Sequence, residues 1–121
     1  MVDLAERASQ GPIQIRDIAE RQSIPQHYLE QILVILKKGG LVQSFRGAQG
    51  GYALAKAADS IGVLDILEQL EGSLNVVPHG KRDAGLQFFW QGLEACIANH
   101  IDIQLSDLVM KKNERSFSYS I

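Results

Sequence analysis

The sequence predicts a mainly α-helical protein with one small β-hairpin. Three observations carry that expectation. Apolar residues recur at helical spacing along most of the chain. A glycine-rich stretch, Gly47-Ala48-Gln49-Gly50-Gly51, separates two short extended runs. Late in the chain, Leu86, Phe89/Trp90, Leu93 and Ile97 form one long apolar stripe.

The elements follow in order. Met1 to about Ala8 carries Leu4 and Ala8 on one face and reads as the end of a helix. Ser9-Gln10-Gly11-Pro12 signals a turn. Ile15, Ile18 and Ala19 stand at i, i+3 and i+4 in a short helix ending near Gln22. Ser23 is suited to cap the next helix, and Pro25 to its first turn. Leu29, Ile32, Leu33 and Leu36 continue that helix, which Lys37-Lys38-Gly39-Gly40 ends. Leu41–Arg46 and Tyr52–Ala55 are the arms of the hairpin. A helix over Val63–Glu71 turns Leu64, Leu67 and Leu70 inward. Residues 73–85 hold Pro78, Gly80 and Gly85 and read as a loop. The long helix from Ala84 to His100 spans about 25 Å at 1.5 Å per residue. Ser106 caps a short last helix with Leu108 and Val109, and 111–121 is expected to be a disordered polar tail.

Composition narrows the function. A chain of 121 residues, 45% hydrophobic and 21% charged, reads as one globular domain. Its apolar runs are far shorter than the roughly 20 residues of a membrane-spanning helix. The first residues mix acid and base and do not resemble a signal peptide. The one cysteine, Cys96, allows no internal disulfide and no cysteine-rich zinc site, which points to the cytoplasm. Residues 1–57 carry seven Lys/Arg against five Asp/Glu, and 58–121 carry five against nine, so a net +2 precedes a net −4. A mildly basic front half suits a DNA-reading module.

No paired carboxylates or nucleophile–base pair appear, so no catalytic residues and no enzyme are expected. The glycine run lacks the Lys-Ser/Thr of a phosphate-binding loop. His79, in the loop, and His100, ending a helix, share no metal-ligand spacing with Cys96; no metal and no cofactor are expected. Cys96 reads as a small buried hydrophobe, with a redox thiol as the alternative.

Two short helices, a third, then a hairpin is the order of a winged helix-turn-helix. Residues 1–72 would form it. The helix 25–38 would be the recognition helix, with Pro25, Gln26, His27, Glu30 and Gln31 at its polar N-terminal end, where side chains reach base edges. The alternative is an ordinary amphipathic helix with a solvated face. The hairpin 45–52 would be the wing. Arg46 at its base could enter a minor groove, and Gly50 and Gly51 allow the backbone close to DNA. Residues 84–110 would serve dimerisation, with Phe89, Trp90, Leu93 and Ile97 at the interface.

Four ordered blocks carry a resemblance: Asp17-Ile18-Ala19-Glu20-Arg21-Gln22, Tyr28-Leu29-Glu30-Gln31-Ile32-Leu33, Lys38-Gly39-Gly40-Leu41-Val42 and Arg46-Gly47-Ala48-Gln49-Gly50-Gly51-Tyr52. The chain resembles the Rrf-two family of bacterial transcription regulators from residue 1 to about residue 110. The resemblance implies a two-fold dimer with a winged helix and a long dimerisation helix. It also implies Pro25, His27, Tyr28, Glu30 and Gln31 in the major groove and Arg46 in the minor groove. Family members carry a basic stretch ahead of this first helix, whereas Met1 falls within that helix. Iron–sulfur members carry three cysteines where Gly72–Trp90 has none. The expectation is a homodimeric, sequence-specific DNA-binding repressor without an iron–sulfur cluster. Its partners would be a palindromic double-stranded operator and an effector metabolite or partner protein. The alternative is a winged-helix protein-interaction module with weak or no DNA binding.

Overall fold

The computed structural model describes residues 1–72 and 83–120, with side chains to residue 116. Its elements are α1 (Val2–Glu6), α2 (Ile15–Gln22), α3 (Gln26–Lys38), β1 (Val42–Phe45), β2 (Gly51–Leu54), α4 (Val63–Glu71), α5 (Gln87–His100) and α6 (Leu105–Ser120). Short 3-10 turns follow α1 and precede α4 and α5. The mainly helical fold with one antiparallel hairpin is the predicted one.

Burial explains the element order. Leu29, Leu33 and Leu36 of α3 are buried and meet Ile18 and Ala19 of α2, Leu4 of α1 and Ile66 of α4 in one core. Leu41 and Val42 continue that core, so the first residue of β1 is buried while the rest of the strand leaves the body. Val42 pairs with Leu54 and Phe45 with Gly51, which makes the hairpin a projecting arm. An open cavity of about 390 Å³ remains within the core, lined mainly by aliphatic side chains of α1, α3 and α4.

Several sequence expectations are corrected. α1 stops at Glu6, and Ala8–Gln10 forms a 3-10 turn. Ser23 does not cap α3; it ends α2 in the left-handed conformation, φ 54°, and Pro25 occupies the N-cap position. α4 buries Ile66, which the sequence pattern did not single out, while Leu67 remains 38% exposed at the edge of the core cavity. The last helix is not short. It begins at Leu105, runs to Ser120 and replaces the expected disordered tail. Asp107, not Ser106, satisfies its start, accepting a bond from the Gln104 amide at 3.0 Å. The 73–85 loop and His79 lie largely outside the described residues.

α6 is held at both ends of the body. Leu105 and Ile61 are fully buried, and the Leu105 amide donates to the Ile61 carbonyl at 2.7 Å. Lys112 donates to Glu6 of α1 at 2.8 Å. α5 has no buried residue.

Candidate nucleic-acid interface

The start of α2, the start of α3 and the wing meet on one face. Gln14, Ile15, Arg16, Gln26, Phe45, Gly47 and Tyr52 wall a shallow depression of about 410 Å³ there. Two backbone bonds fix the wing against this site. The Ile13 amide donates to the Tyr52 carbonyl at 2.8 Å, and the Tyr52 amide to the Ile13 carbonyl at 2.7 Å.

α3 presents its polar end as predicted. Pro25, Gln26, His27, Tyr28, Glu30 and Gln31 are all exposed, while Leu29 between them is buried. Tyr28 is 57% exposed and presents a large aromatic surface. His27 stands between its neighbours on the helix. Its Nδ1 lies 3.9 Å from Glu30 Oε2, and its Nε2 lies 3.5 Å from the Gln31 amide nitrogen. The three side chains offer donors and acceptors over one helical turn, which is the chemistry base edges require.

Arg46 is exposed at the base of the wing. Gly50 and Gly51 also have a structural role in the wing. Gly50 is buried, and a Cβ there would meet the Phe45 carbonyl at 2.5 Å and the Gly47 carbonyl at 2.9 Å. Gly51 has φ +144°, and a Cβ would collide with the backbone of Ile13. Both glycines serve the packing of the wing turn on itself and on the chain before α2.

Arg7 and Arg21 are withdrawn from the basic front half. Asp3, 4% exposed, accepts from Arg7 Nη1 at 2.9 Å, from Arg21 Nε at 2.9 Å and Nη2 at 2.8 Å, and from Gln22 at 3.2 Å. The hydrogen bond from Arg21 holds the Asp3 carboxyl below the usual range, outweighing the burial that would raise it. The bidentate pair ties α1 to the C-terminal end of α2, just before the turn into α3. No sequence periodicity exposes this link, because the partners are 18 residues apart.

The residues expected at a dimer interface lie on α5. Phe89 and Leu93 are exposed, and Trp90 and Ile97 are half-buried. The rings of Phe89 and Trp90 meet edge to face with centroids 5.1 Å apart. Cys96 is exposed rather than buried, because among the described residues nothing covers the stripe beside it.

An exposed recognition helix beside an exposed wing defines a winged helix-turn-helix protein. The chain belongs to the Rrf2 family, described as an iron-dependent transcriptional regulator, whose model matches residues 1–111. It is 43% identical over 90 residues to a helix-turn-helix-type transcriptional regulator of Synechocystis, covering 74% of this chain and 61% of the relative. It is 38% identical over 110 residues to the regulator IscR of Erwinia tasmaniensis, covering 90% and 63%. The chain thus spans about six tenths of the length of these relatives. Among solved structures, CymR, the global cysteine regulator of Bacillus subtilis, superposes with a TM-score of 0.80 at 32% identity, covering 91% of this chain and 87% of that one. IscR of T. potens superposes with a TM-score of 0.80 at 39% identity, covering 94% and 80%.

The family description names iron, and the donor set here does not fit a cluster. A two-iron cluster needs about four ligands, mostly thiolates. This chain has one cysteine, on the apolar stripe of α5. Among the described residues, no three His, Cys, Asp or Glu side chains gather to hold a metal.

Proposed function

We propose that the chain is a homodimeric, sequence-specific DNA-binding transcriptional repressor. It reads a palindromic operator and acts in the cytoplasm, beside the chromosome. The convergence of α2, α3 and the wing around one open face supports this reading most directly. α3 enters the major groove, with Pro25, His27, Tyr28, Glu30 and Gln31 toward base edges. Arg46 enters the neighbouring minor groove, where a narrow groove concentrates negative potential. Gly50 and Gly51 hold the wing turn compact enough to follow it. Phe89, Trp90, Leu93 and Ile97 of α5 pack on their copies across a two-fold axis, which would also cover Cys96. The effector is a small metabolite or a partner protein.

The test is binding of the purified chain to its own gene's upstream region, followed by fluorescence anisotropy at several salt concentrations. Tight binding that weakens steeply with salt and exceeds binding to a scrambled duplex is the expected result. A second reading, a winged-helix module for a protein partner, draws on the two arginines whose charge Asp3 pairs. Absence of salt-dependent binding to either duplex would favour it.

A further inference from the structure

Arg16 carries no signal in the sequence, since it is one polar residue on a short amphipathic helix. The structure singles it out. It borders the 410 Å³ depression that Gln14, Gln26, Phe45 and Gly47 share. It also borders a second one, of about 370 Å³, walled by Gln10, Pro12, Asp17, Ala48 and Gln49. Arg16 therefore borders the wing turn on both of its flanks. Its side chain is 70% exposed, and its nearest carboxylate, Asp17, is 3.9 Å away and itself well exposed. Such a pair holds its charges weakly. Arg7 and Arg21, by contrast, are bound to Asp3 at 2.8–2.9 Å. No side chain caps the first turn of α2; the Asp17 amide bonds the Gln14 carbonyl at 3.1 Å, and the Ile15 and Arg16 amides ahead of it have no intrahelical partner.

We infer that Arg16 grips a backbone phosphate of double-stranded DNA beside the minor groove that the wing enters. The inference rests on the DNA-binding reading above and adds to it a second cationic anchor with a different task. Arg46 enters a groove whose shape depends on sequence. Arg16 meets a phosphodiester, which every sequence offers, and so sets the position of the wing without choosing the operator. A guanidinium can place two N–H donors on one phosphate, and the uncapped amides of α2 add donors of the same polarity.

The experiment compares the full chain with Arg16→Gln and Arg16→Lys on two labelled duplexes, the gene's own upstream region and a scrambled one. Anisotropy is read between about 50 and 200 mM salt. Arg16→Gln should weaken binding about tenfold near 100 mM salt, by the same factor on both duplexes, and flatten the slope of log K against log salt by about 0.9. Arg16→Lys should keep the slope, since the charge remains. Thermal midpoints should be unchanged for both, because the side chain is exposed. Arg46→Ala, run alongside, should lose more on the operator than on the scrambled duplex. An unaltered slope for Arg16→Gln, with the unmodified protein binding its operator, overturns the assignment. So does a loss confined to the operator, which would make Arg16 a base reader. If the unmodified protein binds neither duplex, the DNA reading falls first and this inference with it.

Discussion

Asp3 is the residue on which the orientation of the helix-turn-helix depends. Its carboxylate is ionised and held low by the bond from Arg21. Stability from a depressed carboxylate is complete above its unfolded pKa and lost as pH falls through the lower folded value. Acid unfolding of the native chain should therefore steepen below about pH 4. Asp3→Asn should cost about 1–3 kcal/mol at neutral pH. It should also flatten that acid slope, measured as urea midpoints between pH 3 and 7; an unchanged profile would show the pair to be inert. At the DNA face, Arg46→Ala should weaken operator binding by about 1–3 kcal/mol. Glu30→Ala should change which base is preferred more than it changes affinity, since a carboxylate accepts from cytosine amino groups and repels phosphate. Equal loss on every sequence in a base-substitution panel would contradict that role for Glu30.

Among the elements, the wing and α5 are the least supported by the chain's own core. The wing depends on the contact of Gly51 with the backbone of Ile13. Gly51→Ala should cost roughly 1–3 kcal/mol in thermal or urea unfolding, through a strained φ and a backbone collision. A neutral result would mean that the hairpin shifts freely. α5 exposes Phe88 at 74% and Phe89 at 55%, a load that an isolated helix leaves in water at considerable cost. Leu93→Asp should turn dimers into monomers, read by light scattering at micromolar concentration, and abolish tight operator binding. The length of α6 has its own cause. Lys111, Lys112, Glu114 and Arg115 are good helix formers, and the Lys112–Glu6 bond joins the helix to α1.

For the whole molecule, the proposed reading makes predictions about assembly and about iron. Two recognition helices must lie about 34 Å apart, or a multiple of it, to read successive major grooves. A single chain carries one recognition helix, so on the proposed reading a two-fold partner would supply the other. With one cysteine per chain, a dimer offers two thiolates where a cluster needs about four ligands, mostly of that kind. Protein purified without air should be colourless and bind its operator after treatment with an iron chelator. A brown preparation with near-stoichiometric iron and sulfide would overturn that expectation, and Cys96→Ser would test the ligand.

Local pattern alone determined the order of helices, the hairpin and the exposed polar end of α3. Leu29, Leu33 and Leu36 must share one face at 3.6 residues per turn, and Glu30 and Gln31 then turn away from it. Glycines between two extended runs leave little choice but a turn. Tertiary structure decided what depends on distant partners. Asp3 binds Arg21 across 18 residues and so pairs the charge of an arginine that the composition counts as basic. Gly51 is a packing position because the backbone of Ile13, 38 residues earlier, crowds it. Arg16 became a site only when the wing folded back beside it. Cys96 lies on an apolar stripe in sequence and in water in the single chain, because periodicity marks a face for burial but does not supply the surface that buries it.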